Sequence, residues 1–138
     1  MTNSIDVAFA QARFRDSAPE GRRIPGAVEG VASLAIALDN LGPWFGALQL
    51  RYFGPRPLVE DNSVRSKATA SANASIGVKV SPKLQMKLEG FNLTNRRVSA
   101  IDYYYTSRLQ GEAAEGVADI HFHPIESRSF RFSVNMNF

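Results

Sequence analysis

Apolar and polar residues alternate with a period of two along most of this chain. In residues 67–80, KATASANASIGVKV, alanine, isoleucine and valine occupy the even positions, and polar residues or glycine occupy the odd ones. Because successive side chains of a β-strand point to opposite faces, this pattern predicts strands with one apolar and one polar face. The predicted strands are residues 4–15, 31–39, 44–53, 67–80, 84–91 and 128–138. We therefore predict an all-β fold, an antiparallel meander of about six strands with no helix.

The connections between these strands alternate between long and short. Residues 40–43 (NLGP) and 81–83 (SPK) are short and contain the Gly and Pro that favour tight turns, whereas residues 16–29, 54–66 and 92–127 are long. A transmembrane β-barrel has tight turns at one rim and long loops at the other. A strand of about 11 residues, tilted by about 40°, spans roughly 28 Å, which is enough for an apolar band of about 25 Å. We predict that the sheet is part of a larger transmembrane β-barrel, although periodicity alone also allows a soluble β-sandwich.

Composition excludes several classes of function. The net charge is +3 and the basic residues are scattered, so we expect no nucleic-acid partner. The chain has no cysteine, which excludes a thiolate metal site and a cysteine nucleophile. No catalytic triad spacing, phosphate-binding glycine loop or metal-ligand cluster stands out. We expect no enzymatic activity, no cofactor and no metal.

The segment EGFNLTNRRV (residues 89–98) resembles the penultimate strand of TonB-dependent outer-membrane receptors. In that family this strand commonly leads into an Asn-Leu-x-(Asn/Asp)-(Lys/Arg)-(Lys/Arg) element. The residues that match it are Asn92, Leu93, Asn95, Arg96 and Arg97. Residues 24–38, 42–66 and 101–138 also resemble the last hairpins of the family, so the resemblance extends from about residue 5 to the end.

The resemblance implies that residues 1–138 are the C-terminal strands of such a receptor. The family has a plug domain and a closed barrel of about 22 strands, so we expect a fragment that is not competent for transport alone. The implied location is the outer membrane of a Gram-negative bacterium. The implied partners are outer-membrane lipid, the barrel-assembly machinery, a small-molecule ligand such as a ferric siderophore, and TonB through the plug of the full-length parent. The alternatives are a small outer-membrane β-barrel protein and a soluble β-sandwich binding module.

Candidate ligand-binding residues lie in the long loops that the resemblance places outside the cell. They are Arg22, Arg23, Tyr103, Tyr104, Tyr105, Arg108, His121 and His123. HFH puts two imidazoles on one face of an extended chain, which suits a metal or an iron chelate, and the plainer interpretation is loop histidines bonded to neighbours or solvent. The aromatic rings and the arginine of DYYYTSR (residues 102–108) suit contact with an aromatic or anionic ligand. The plainer interpretation is that the rings pack the loop onto the barrel rim. Arg22 and Arg23 could attract an anionic chelate. The plainer interpretation is that they form the solvated tip of a loop.

Two further groups concern the barrel wall. Charged residues on the polar face form either a ligand path or a ladder packed against a plug: Arg51, Lys79, Lys87, Glu89 and Arg131. Phe138, with Met136 and Phe130, resembles the C-terminal aromatic signal by which the assembly machinery recognises its clients. The alternative is a hydrophobic tail that matches by coincidence.

Overall fold

The computed structural model describes residues 1–137, and within them the side chains of all residues except Ser17, Ala18 and Asn40. In this part of the chain no helix is long and apolar enough to cross a membrane. The described strands are β1 (Thr2–Phe9), β2 (Arg13–Ala18), β3 (Gly21–Arg23), β4 (Gly30–Leu41), β5 (Trp44–Phe53), β6 (Thr69–Ser81), β7 (Leu84–Phe91), β8 (Ser99–Ser107), β9 (Val117–Pro124) and β10 (Ser129–Met136).

Six strands form one sheet in the order β1-β4-β5-β6-β7-β10, and every neighbouring pair is antiparallel. This sheet confirms the predicted all-β meander. The predicted bounds 44–53 and 84–91 coincide with β5 and β7. The first predicted strand is too long, because β1 ends at Phe9 and a separate strand begins at Arg13.

The predicted alternation of short and long connections is confirmed. Residues 42–43 join β4 to β5 and residues 82–83 join β6 to β7, so both tight turns lie at one end of the sheet. The first (10–29), second (54–68) and third (92–128) long connections lie at the opposite end, which we call the long-loop rim. The prediction of plain loops at 16–29 and 92–127 is wrong, because β2 pairs with β3 and β8 pairs with β9 inside these connections.

One face of the six-stranded sheet, the apolar face, is apolar across its whole width. Residues that are directly opposite in a ladder share a face, and one such row runs from Leu38 through Gly46, Ile76 and Leu88 to Phe132. The side chains of this row are not covered by a second layer, since Ile76 is 54% exposed and Phe132 is 64% exposed. A β-sandwich would bury these residues.

The opposite, polar face holds the charged residues that the alternation predicts there. Lys87 donates to Glu89 over 2.7 Å, and the Arg131 guanidinium lies 5.4 Å from the centroid of the Phe91 ring. Ser33 on β4 donates to Asp6 on β1 over 3.3 Å. The charged and polar side chains of this face therefore contact one another, or a neighbouring ring, along and between adjacent strands.

Buried side chains concentrate at the long-loop rim. Among the side chains that the structure describes, Pro57, Leu58, Ser66, Asn92 and Asp102 are buried, and all of them belong to the second and third long connections. The small core of the protein thus lies where these connections pack together, beyond the ends of the sheet.

Candidate functional site at the long-loop rim

Asn92 holds the turn that follows β7. Its backbone is left-handed, with φ of 45°, a conformation that asparagine tolerates better than most residues. Its side-chain amide donates to the carbonyl oxygen of Arg96 over 3.2 Å and to that of Glu126 over 3.0 Å. Its backbone N–H donates to the side-chain oxygen of Asn73 on β6 over 3.0 Å. One buried residue therefore ties the end of β7 to β6 through its backbone and to the segment that enters β10 through its side chain.

Asn95 repeats this arrangement three positions later. Its φ is 49°, and its side-chain oxygen accepts from the backbone N–H of Arg128 over 3.2 Å. Its own N–H donates to the carbonyl oxygen of Asn92 over 2.8 Å. The two asparagines of the Asn-Leu-x-Asn pattern thus fix the path of the chain, and with it the position of Arg96 and Arg97.

Arg56 and Asp102 anchor the β8–β9 hairpin on the second long connection. An Arg56 guanidinium nitrogen lies 3.0 Å from a carboxylate oxygen of Asp102, and the side chains are 14% and 5% exposed. Arg56 also donates to the carbonyl oxygen of Ala100 over 3.1 Å. Sequence reasoning missed this pair, because 46 residues separate its members and neither belongs to a strand with a regular alternation.

Glu29 joins the first and second long connections. Its carboxylate accepts from both Arg23 and Arg65. The hydrogen bond from Arg65 lowers the pKa of Glu29, burial opposes that effect, and the charges of Arg65, Arg23 and Arg13 add to it. Arg23, a candidate ligand contact, is thus engaged in an ion pair, whereas Arg22 is exposed.

Gly21 allows the same two connections to approach closely. A Cβ at this position would lie 2.3 Å from the carbonyl carbon of Glu60, and φ is 128°. The neighbouring Arg23 N–H donates to the Glu60 carbonyl oxygen over 2.9 Å. A side chain at residue 21 would therefore separate the β2–β3 hairpin from the second connection.

One face of the β8–β9 hairpin, the tyrosine–histidine face, presents four of the candidate residues. They are Tyr103, Tyr105, His121 and His123. The rings of Tyr105 and His121 stack with centroids 3.9 Å apart and planes 15° apart, and Tyr103 meets His123 edge-on at 6.0 Å. The Nε2 atom of His121 is buried and has no hydrogen-bond partner among the described residues. The predicted pair of imidazoles on one face is therefore present, and each ring contacts a tyrosine.

Two candidates lie away from this face. Tyr104 is opposite Ile120 in the ladder and shares its face of the hairpin with Asp102 and Phe122. Arg108 lies beyond β8 and donates from Nε to the carbonyl oxygen of Glu112 over 3.2 Å. The structure thus groups four of the eight candidates and separates the others.

The rim cleft is a cavity of about 680 Å³ between this second hairpin face, the turn after β7 and the second connection. Its apolar wall includes Ile120 and Phe122. Its cations are Lys67, Arg96 and Arg97, which are exposed and have no ion-pair partner among the described residues. Asp102 also lines the cleft, but Arg56 neutralises it. The cleft is therefore suited to an anionic ligand that has an apolar part.

The remaining candidates concern metals and assembly. Among residues 1–137, no three His, Cys, Asp or Glu side chains form a group that could hold a metal ion. Phe130 and Met136 lie on the apolar face and are 64% and 56% exposed. Phe138 lies outside the described residues, and its role as an assembly signal stays a prediction.

No protein-family model and no curated protein matches the sequence. A solved structure that is similar is the ferric yersiniabactin uptake receptor FyuA from Yersinia pestis, with a TM-score of 0.56 and 20% sequence identity. The match covers 86% of this chain and 17% of that one. At this identity the likeness shows the fold alone, so the antiparallel sheet has the arrangement of one portion of that receptor.

Proposed function

We propose that this chain is the C-terminal portion of the β-barrel of a TonB-dependent receptor in the outer membrane of a Gram-negative bacterium. The observation that best supports this proposal is the apolar face of the sheet, on which large apolar side chains of β1, β5, β6, β7 and β10 are exposed. The structural likeness to a siderophore uptake receptor supports it independently. In this arrangement the apolar face contacts lipid and the polar face lines the lumen.

The open edges of the sheet determine what the chain does. Strands β1 and β10 each have one neighbour in the described sheet. In lipid an unpaired backbone polar group costs several kcal/mol, so both edges require further strands. We therefore propose that the chain acts within a complete barrel. Energy from TonB reaches that barrel through the plug of the full-length parent, and the chain alone does not transport.

The ligand of the parent receptor is, in this proposal, a ferric siderophore. The tyrosine–histidine face offers aromatic rings in stacked and edge-on contact, which suit an aromatic chelate. Exposed Arg22 adds positive charge on the long-loop rim.

Single cysteines test the orientation of the sheet, because the chain contains none of its own. Phe132 and Ser133 are neighbours in β10 and lie on opposite faces. With the chain assembled in the complete barrel of its parent and reconstituted in phospholipid vesicles, Phe132→Cys should react with a lipid-soluble maleimide and Ser133→Cys with a water-soluble one. Equal reaction of both cysteines with the water-soluble reagent would exclude the membrane orientation.

A further inference from the structure

Arg96 lines two cavities that lie on different parts of the protein. One is the rim cleft, and the other is a groove of about 470 Å³ on the apolar face of the sheet, which we call the sheet groove. Thr94 and Arg96, which belong to the third long connection, also line this groove. The cationic cleft and the apolar groove therefore meet at a single arginine.

The sheet groove exists because small and large residues alternate across the strands. Val7, Ala32, Tyr52 and Ala70 form one row of ladder partners. The alanines leave space between the larger side chains, and Leu50 stands opposite Ala72 in the next row of the apolar face. The groove therefore has a largely apolar lining, which suits an acyl chain.

The cationic end of the groove is rigidly placed and lacks counter-charges. The carbonyl oxygen of Arg96 accepts from the buried amide of Asn92, so the backbone at this arginine is fixed. Arg97 and Lys67 lie in the same cleft, and none of the three has an ion-pair partner among the described residues. A guanidinium presents several donors to a phosphate in a geometry that favours paired hydrogen bonds.

We propose that the sheet groove and the adjoining cations bind a phosphorylated membrane lipid, with an acyl chain in the groove and a phosphate at Arg96. This proposal rests on the proposed function, because the groove meets lipid only if the apolar face lies in the membrane. Charge complementarity and the shared arginine select this occupant, since a soluble anion would leave the groove empty and a neutral lipid would leave Arg96 unpaired. Tyr52, 45% exposed beside the groove, supplies an aromatic ring with a polar end, as in the girdles of such barrels.

Native mass spectrometry of the complete receptor that contains this chain, extracted from bacterial outer membranes in mild detergent, tests the site. We expect a phosphorylated membrane lipid to stay bound to the wild type. Arg96→Ala should weaken binding by about tenfold or more, as expected for one charge-assisted contact. Arg22→Ala is the matched control, because Arg22 is an exposed arginine that lines neither cavity. Ala70→Phe, which fills the groove, should weaken binding of the lipid and leave binding of inorganic phosphate unchanged.

A second measurement does not depend on detergent. A photo-crosslinking residue at Thr94 should form an adduct with the phosphorylated lipid in intact outer membranes, and the same residue at Ser63, on the second connection, should not. Equal losses for Arg96→Ala and Arg22→Ala would overturn the proposal, as would equal affinity for inorganic phosphate and for the lipid. If Phe132→Cys lies in lipid but no adduct forms at residue 94, the lipid site fails and the membrane orientation stands. If Phe132→Cys does not lie in lipid, the proposed function itself fails.

Discussion

The ring of Phe45 on β5 lies directly over Gly77 on β6. The two residues are ladder partners on the polar face, and a Cβ at residue 77 would stand 2.2 Å from Cζ of the ring. The ring therefore fills the space that a side chain at residue 77 would take. This contact explains why a glycine interrupts the otherwise polar positions of β6.

Gly77→Val should destabilise the sheet by about 1–3 kcal/mol, since the added atoms overlap the ring and neither strand can move without breaking the ladder. Chemical unfolding in detergent micelles measures the change in free energy. Phe45→Ala in the same chain should recover most of the loss that valine causes. A double variant as unstable as the sum of the single ones would contradict the contact.

Arg56→Ala should release the β8–β9 hairpin from the second long connection. The change leaves the buried carboxylate of Asp102 without its partner, which costs about 1–3 kcal/mol. Amide hydrogen exchange should accelerate in residues 99–107 and 117–124 and stay unchanged in the six-stranded sheet. Arg22→Ala, at an exposed arginine, should alter neither region.

Asn92→Ala should destabilise the chain more than Asn92→Gly. Both variants leave the carbonyl oxygens of Arg96 and Glu126 without the amide donor, but only glycine adopts a φ of 45° without strain. The difference in unfolding free energy is expected to be about 1 kcal/mol. If alanine and glycine are equal, the left-handed backbone contributes nothing at this position.

The contact between the first and second connections should weaken in acid. The pKa of Glu29 in the folded protein lies below its ordinary value of 4.5, so its stabilising effect is present above that pH and is lost as the pH falls through the lowered pKa. Exchange of the Arg23 amide, corrected for the intrinsic rate, should therefore accelerate at low pH. Asp61, whose pKa is lowered by hydrogen bonds from Ser63, titrates in the same direction. Glu29→Gln distinguishes the effect of Glu29 from that of Asp61. In this variant the Arg23 amide should exchange fast already at neutral pH, and its exchange should lose most of the pH dependence seen in the wild type.

The tyrosine–histidine face should bind a ferric siderophore through its rings. Tyr105→Ala removes the ring that stacks on His121 and should lower the affinity about tenfold, the range of one aromatic contact. Tyr104→Ala alters the other face of the same hairpin and is expected to have a smaller effect. Trp44 lies at the tight-turn end of the sheet, far from this face, so its fluorescence would not report binding. Isothermal titration with the complete receptor is the suitable measurement. An equal loss of affinity in both variants would show that the stacked rings have no specific role in binding.

The six strands of the sheet could be predicted from the sequence because each has one apolar and one polar face, which a period of two reports directly. The β8–β9 hairpin could not, because Tyr103, Tyr104 and Tyr105 place aromatic rings on both of its faces and erase that period. The Arg56–Asp102 pair and the contact of Glu29 with two arginines depend on how separate connections pack. Local alternation contains no information about such packing.

The position of the buried side chains has a consequence for how the protein is stabilised. The sheet has its apolar residues on an outer surface, while the dry interior formed by Pro57, Leu58 and their neighbours lies at the long-loop rim. The stability of the sheet therefore depends on the lipid or detergent that covers its apolar face, whereas the stability of the long-loop rim depends on the surrounding water. Changing the length of the surrounding amphiphile should alter the sheet and spare the rim, whereas urea in the aqueous phase should loosen the rim first.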